Sequence, residues 1–201
     1  MRPLKETPSQ TAGPYVHIGL MPGAAGVAGD AHELGHDIAG PDAEGPRIRI
    51  EGRVIDGTGT PVRDAVIEVW QANAAGIHAG PGATVEPGFR GWGRVATDPA
   101  SGGFAIDTVK PGAVPGPGPG ERMQAPHLSL WIVARGINLG LHTRLYFDDE
   151  PEANAADPVL SLIEWETRRA TLIAARAPDN DALYRFDIRL QGADETVFFE
   201  V

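Results

Sequence analysis

RIRIEGRVIDGTGTPVRDAVIEVWQA, residues 47–72, decides the fold class. In its first half Ile48, Ile50 and Val54 fall on one side of an alternating run, with Arg47, Arg49, Glu51 and Arg53 on the other. A period of two with charge on one face is the pattern of a strand that buries one side and wets the other. Asp56-Gly57-Thr58-Gly59-Thr60-Pro61 then gathers turn formers together, and AVIEVWQA at 65–72 returns as a second strand.

The same reading extends outward in both directions. Further strands are predicted at 94–97, 103–109, 127–134, 143–147, 171–176, 184–190 and 196–200. LSLWIV at 128–133 is apolar on both faces, which fits a strand in the middle of a sheet. One short helix is predicted over 157–168, where Val159, Leu160 and Ile163 share a face. PGAVPGPGPG at 111–120 reads as a loop, since its prolines remove backbone donors. Residues 1–46 carry glycine at 13, 19, 23, 26, 29, 35, 40 and 45 and read as an irregular N-terminal arm, with the domain proper at 47–201. The expected architecture is mostly β: a β-sandwich of two mainly antiparallel sheets, with long loops and one or two short helices.

A chain of 201 residues is large enough to bury a core as one domain. It has 26 glycines and 18 prolines, many turns' worth, yet below the share of roughly 25–30% that marks disorder. The formal charge of −10 disfavours nucleic acid and anionic membrane surfaces as partners. It also means that an anionic ligand needs a local positive patch. With no cysteine, disulfides, thiolate metal sites and cysteine nucleophiles are excluded. The opening residues lack the apolar core of a signal peptide and no later stretch approaches a membrane span, so a cytoplasmic location is expected.

His32-Glu33-Leu34-Gly35-His36 matches the HExxH pattern of zinc hydrolases, which needs both imidazoles on one stable helix and a third ligand beyond. Here a helix would be confined between Gly29 and Gly40, with Gly35 inside it costing about 1 kcal/mol. No histidine follows until His78. A zinc hydrolase using His32, Glu33 and His36 is therefore one competing reading. A non-enzymatic β-sandwich binding module is another; it accounts for the strands but not for the arm.

Several separated blocks carry more information. They are Thr7-Pro8-Ser9-Gln10-Thr11-Ala12-Gly13-Pro14-Tyr15, Glu68-Val69-Trp70-Gln71-Ala72, Thr108-Val109-Lys110-Pro111-Gly112, Ala134-Arg135-Gly136-Ile137-Asn138, Leu141-His142-Thr143-Arg144-Leu145-Tyr146-Phe147 and Tyr184-Arg185-Phe186-Asp187. In this order they resemble the intradiol ring-cleavage dioxygenases, and among them the alpha subunit of the two-subunit enzymes, over nearly the whole chain. The resemblance implies a β-sandwich paired with a homologous beta subunit, in a higher-order oligomer of such pairs. It implies cleavage of protocatechuate, a dihydroxybenzoate, between its hydroxyls with O2 to give 3-carboxy-cis,cis-muconate. It further implies that the cofactor, a non-haem Fe(III), is bound by the beta subunit and not by this chain.

In catalytic subunits of that family two tyrosines and two histidines hold the iron. The family's Lys-Pro-Gly-x-Tyr-Pro run reads here Lys110-Pro111-Gly112-Ala113-Val114-Pro115, so Val114 stands where a phenol should be. No tyrosine lies between Gln71 and Phe89, where the second is expected. In Gln124-Ala125-Pro126-His127-Leu128-Ser129, His127 survives, Ser129 takes the second histidine's position and Gln124 that of an arginine. Ionising a phenol of pKa near 10 at pH 7 costs roughly 4 kcal/mol, so the site demands a complete, prearranged donor set. His142 and Tyr146 share one face of a predicted strand, but Arg144 lies between them and repels a cation. The resemblance therefore implies no catalytic or metal-binding residue in this chain alone. Its substrate-binding residues, carried over from the family, are Thr11, Gly13, Pro14 and Tyr15 of the arm and Arg135. Gly-Pro allows close and fixed backbone approach, and Tyr15 offers a phenol. Arg135 suits either a substrate carboxylate or an interface ion pair.

Overall fold

The computed structural model of the protein describes residues 10, 11, 13, 15–27, 34–116 and 122–200. Its strands are β1 (Arg47–Ile55), β2 (Val66–Gln71), β3 (Trp92–Ala96), β4 (Gly103–Val109), β5 (Val114–Pro115), β6 (Met123–Gln124), β7 (His127–Val133), β8 (Leu141–Phe147), β9 (Ile173–Ala177), β10 (Asn180–Arg185) and β11 (Ile188–Arg189). Short helices occupy α1 (Tyr15–Leu20), α2 (Pro151–Ala156) and α3 (Glu166–Ala170).

Two layers face each other. One runs β4–β1–β10–β9, with β11 continuing along the same edge of β1 beyond β10. The other runs β3–β2–β7–β8–β9. β9 belongs to both. Ile173 and Ala174 pair with Tyr146 and Phe147 of β8, while Ala175, Arg176 and Ala177 pair with β10. A strand that changes layers closes one side of the sandwich without leaving an edge there. Most pairings are antiparallel; β1 with β10, β1 with β11, and β8 with β9 are parallel.

The alternation read from residues 47–54 is realised: Ile48, Ile50 and Val54 are buried and Arg47, Arg49 and Arg53 exposed. β1 and β2 do not pair with each other, however. The 56–65 turn, held by the Asp56 carboxylate accepting the Thr58 and Thr60 N–H groups at 2.8 and 2.9 Å, carries the chain across to the opposite layer. There Ile67 and Val69 meet Ile50 and Ile106 from the first layer in one core with Leu128, Leu130, Ile132, Leu145, Phe147 and Tyr184. β7 lies between β2 and β8, as its apolar sequence implies.

Five local expectations need correction. The 184–190 strand divides: β10 stops at Arg185, the backbone turns through Phe186 and Asp187, and β11 resumes on β1. The 196–200 strand shrinks to one bridge, Phe199 with His142, on the stretch of β8 that β9 does not pair. The 157–168 helix is replaced by a 3-10 turn at Leu160–Leu162, capped by Asp157 through the Val159 and Leu160 N–H groups at 2.8 Å, and by α3, because the backbone between them is extended at Ile163 (ψ 110°) and Trp165 (ψ 126°). Within 111–120, Val114 and Pro115 form a short ladder with Gln124 and Met123; a proline is tolerated in so brief an edge pair. Before β1, a segment read as irregular includes α1, and Ile38 reaches the core.

Gly52 marks the tightest crossing. A Cβ there would lie 1.7 Å from the Phe186 carbonyl oxygen, where the chain bends between β10 and β11 and Phe186 N–H bonds Glu51 O at 2.9 Å. Gly52→Ala is expected to destabilise the protein by about 3 kcal/mol through overpacking, read as a lowered denaturant midpoint. A midpoint within about 0.5 kcal/mol of the parent would contradict that contact.

Candidate functional site

Strand alternation sends Trp92 and Arg94 (β3), Glu68 and Trp70 (β2), Ser129 and Trp131 (β7), and His142 and Arg144 (β8) to the outer face of the second layer. At one end of this face α1 packs Val16, with Met21 beyond it, onto Val66 and Val133. At the other end Leu160 and Leu172 cover Tyr146 and Ala125. Between the two covers lies an open depression of about 530 Å³, lined by Trp70, Ser129, Trp131, His142, Arg144 and Phe199 among others. A wider depression of about 1000 Å³ lies over the first layer. Its Arg49, Glu51 and Arg185 pair with one another in exposed positions, which leaves no convergent charge for a ligand.

Of the positions corresponding to the family's metal donors, Ser129 lines the open depression and two others are buried. Val114 is buried and apolar. His127 is buried, its Nδ1 2.7 Å from the Ala125 carbonyl, which fixes the Nδ1–H tautomer, and its ring centroid lies 5.5 Å from that of Tyr146. Burial, followed by the charge of Arg144, pushes its pKa down to about 4. The Tyr146 phenol is pushed up to about 12, chiefly by burial. Arg144 Nη1 donates to Gln124 Oε1 at 2.8 Å and to the Tyr146 hydroxyl at 3.2 Å. Gln124 in turn donates to the Pro115 carbonyl at 3.0 Å. With Val114 apolar, Ser129 in place of an imidazole and the Arg144 guanidinium on the Tyr146 hydroxyl, these residues do not fit a ferric ion. Among the described residues no three His, Asp or Glu side chains converge on a metal position.

The zinc reading fails on geometry. His32 and Glu33 lie outside the described residues, but Gly35 has φ 85° and its carbonyl accepts the Arg94 N–H at 2.9 Å, so residues 34–36 turn against β3. His36 is exposed and bonded to Asp37 at 3.0 Å. A left-handed residue between the two histidines precludes the required helix.

Of the five residues expected to contact substrate, Pro14 lies outside the described residues. The structure brings three of the others together. Thr11 Oγ1 accepts the N–H of Gly136 at 3.1 Å and that of Gly13 at 3.4 Å, tying the arm to the turn that carries Arg135. Gly13 has φ 63° and Gly136 φ 87°, conformations that favour glycine. Tyr15 opens α1 and is 76% exposed. Arg135 Nη2 lies 2.8 Å from Asp64 Oδ2, with its own side chain 63% exposed and that of Asp64 14% exposed. The contact is close but not aligned as a hydrogen bond, since Asp64 Oδ2 has no hydrogen-bond partner. This pair borders a broad depression of about 1020 Å³ that His17 and Gln191 also line.

Asp64 was not foreseen. In the sequence it is one more polar residue of a turn. The β2–β7 ladder pairs Val66 with Val133, and two residues further out the same antiparallel register sets Asp64 opposite Arg135. Only the pairing of these strands reveals the partnership.

A family model described as Dioxygenase matches residues 24–192. Protocatechuate 3,4-dioxygenase alpha chain from Pseudomonas putida is 52% identical over 198 residues, covering 98% of this chain and 97% of that protein. Protocatechuate 3,4-dioxygenase beta chain from Burkholderia cepacia is 36% identical over 183 residues, covering 84% and 77%. Among solved structures, 3-chlorocatechol 1,2-dioxygenase from Rhodococcus opacus 1CP superposes with a TM-score of 0.60 at 22% identity, over 76% of this chain and 62% of that one; this likeness speaks to fold.

The buried neutral state of His127 has a pH signature. Its folded pKa lies below the ordinary 6.5, so the unfolded chain takes up the proton first. The stability it confers is complete above that ordinary value and is lost as pH falls toward the folded value of about 4. His127→Asn retains an N–H for the Ala125 carbonyl. In urea titrations at a series of pH values it should lessen the acid-side loss by about 3 kcal/mol. An unchanged slope would refute the assignment.

Proposed function

Because the chain belongs to the dioxygenase family, we propose that it is the alpha chain of a protocatechuate 3,4-dioxygenase and works with a homologous beta chain. The observation that carries this reading is the 52% identity to such an alpha chain over 98% of this chain, against 36% over 84% to a beta chain. The reaction inserts both atoms of O2 while opening the ring of protocatechuate between its hydroxyls, giving 3-carboxy-cis,cis-muconate. The family uses non-haem iron.

In our reading the beta chain holds that iron as Fe(III). Val114, Ser129 and the guanidinium of Arg144 beside Tyr146 support this assignment, since each replaces or repels what a ferric ion requires. What this chain supplies is position. Thr11 fastens the arm to the 135–136 turn, Gly13 lets the backbone come close, and the family resemblance adds Pro14 and Tyr15 to the residues that meet the substrate. Arg135 receives the substrate carboxylate. Asp64 engages one end of the guanidinium and leaves its other donors available, so a strongly acidic chain still presents a cation at this point. Within 1–46, Ile38 and Ala43 pack against this chain's own strands, and we assign the reach to the partner to the residues before them; the pairs assemble further into a larger oligomer. No described helix is long and apolar enough to cross a membrane; we place the enzyme in the cytoplasm.

Two measurements test this. The chain purified alone should carry no stoichiometric iron and no visible phenolate-to-iron absorption, whereas co-expression with the beta chain should yield a coloured, active complex. Iron and colour in the isolated chain would overturn the assignment. In the complex, Arg135→Ala removes a charge-assisted contact and should raise KM for protocatechuate by about 10- to 100-fold with iron content unchanged. Loss of iron, or an unchanged KM, would contradict the role given to Arg135.

A further inference from the structure

Arg135 is flexible in itself and stands beside a residue that is not. Among the described residues, Arg135 and Asp64 form no ion pair except with each other. Both backbones are fixed. Next to Asp64, the Ala65 N–H donates to Thr97 Oγ1 at 3.0 Å and the Ala65 carbonyl accepts the Thr97 N–H at 2.9 Å, with Ala65 and Thr97 buried. Next to Arg135, Ala134 is buried, the Ile137 N–H closes the turn on the Ala134 carbonyl at 3.2 Å, and Gly136 is tied to Thr11. The Asp64 side chain is short and 14% exposed, so its carboxylate stays where the backbone puts it. The Arg135 side chain is long and 63% exposed, and takes its position from that carboxylate.

The form of the contact matters. Arg135 Nη2 lies 2.8 Å from Asp64 Oδ2, yet among the described residues that oxygen accepts no hydrogen bond. The attraction is Coulombic and undirected; it sets the place of the guanidinium without occupying its N–H groups. A planar fork of donors, already placed, can take a carboxylate through two parallel bonds. An arginine left free would lose its rotamer freedom at the moment of binding, whereas a placed one has lost it beforehand. Asp64 also opposes an incoming anion, but it is largely buried while Arg135 faces the depression, where water screens the repulsion. Asp56, the other acid lining that depression, is taken up by Thr58 and Thr60. We propose that Asp64 is a positioning residue: by placing Arg135 it makes the complex prefer catechols that bear a carboxylate over those that do not. This rests on the role given above to Arg135 and assigns the preference to a residue just outside the β2–β7 ladder.

The test is an anaerobic titration of the intact alpha–beta complex, followed through its iron absorption. Without O2 the ring is not opened, so binding alone is read. Protocatechuate is compared with catechol, which has the adjacent hydroxyls and no carboxylate. Asp64→Asn, which keeps the shape and removes the charge, should weaken protocatechuate about fivefold and leave catechol within about twofold. Arg135→Ala should weaken protocatechuate at least as much, and adding Asp64→Asn to it should change nothing further. If Asp64→Asn does not assemble, Asp64→Glu keeps the charge but displaces it by one methylene, and a loss of about threefold for protocatechuate alone is expected. Equal weakening of both ligands would mark a structural role and overturn the proposal. So would unchanged or tighter binding of protocatechuate in the Asp64 variant, or a further loss when the two changes are combined. Arg135→Ala without effect on protocatechuate overturns the role of Arg135 itself; an effect there with none at Asp64 overturns only this inference.

Discussion

The antiparallel register of β2, β7 and β8 is the constraint on which the rest depends. Leu128, Leu130 and Ile132 point into the core only because Ser129 and Trp131 point out, and a slip of one residue would exchange the two sets. The same register sets Arg144 opposite Ser129, Tyr146 opposite His127 and, past the end of the ladder, Arg135 near Asp64. The burial of these strands' apolar side chains thus positions the polar groups of the outer face. None of those groups selects the fold; the fold selects their neighbours.

Within that frame one electrostatic substitution separates this chain from a metal-holding relative. A ferric ion would supply the positive charge around which phenolates and imidazoles gather. Here the guanidinium of Arg144 stands among Gln124, Tyr146 and His127, and the site has adjusted in protonation state: the phenol keeps its proton and the imidazole stays neutral. The two states have separate causes: burial keeps the proton on the Tyr146 phenol although Arg144 alone favours its ionisation, whereas burial and the charge of Arg144 act together to keep His127 neutral.

Legibility in the sequence followed the range of the forces involved. Alternation in β1 and the two-faced apolarity of β7 were evident because burial imprints a short period on neighbouring residues. The fate of 157–168 was hidden, because Asp157 caps its first turn in the ordinary way and the break comes later, at Ile163 and Trp165, where no glycine or proline marks it. The split after Arg185 was hidden too, since it answers to a glycine on another strand, Gly52. For the site, the missing donors Val114 and Ser129 could be read directly, whereas the meeting of Thr11 with Gly136 and of Asp64 with Arg135 required the tertiary pairing. Absences are local facts; partnerships are not.

β9 carries a consequence for how the molecule is made. Because its two halves close different sheets, neither layer is complete until the chain has run past residue 177, and β1 waits longer still, for β10 and β11. Pairings of such sequence separation give a high contact order and slow folding. On the ribosome β1 and β2 pair with β4 and β3 before their later partners exist, and the edges still open in that period are prone to aggregate.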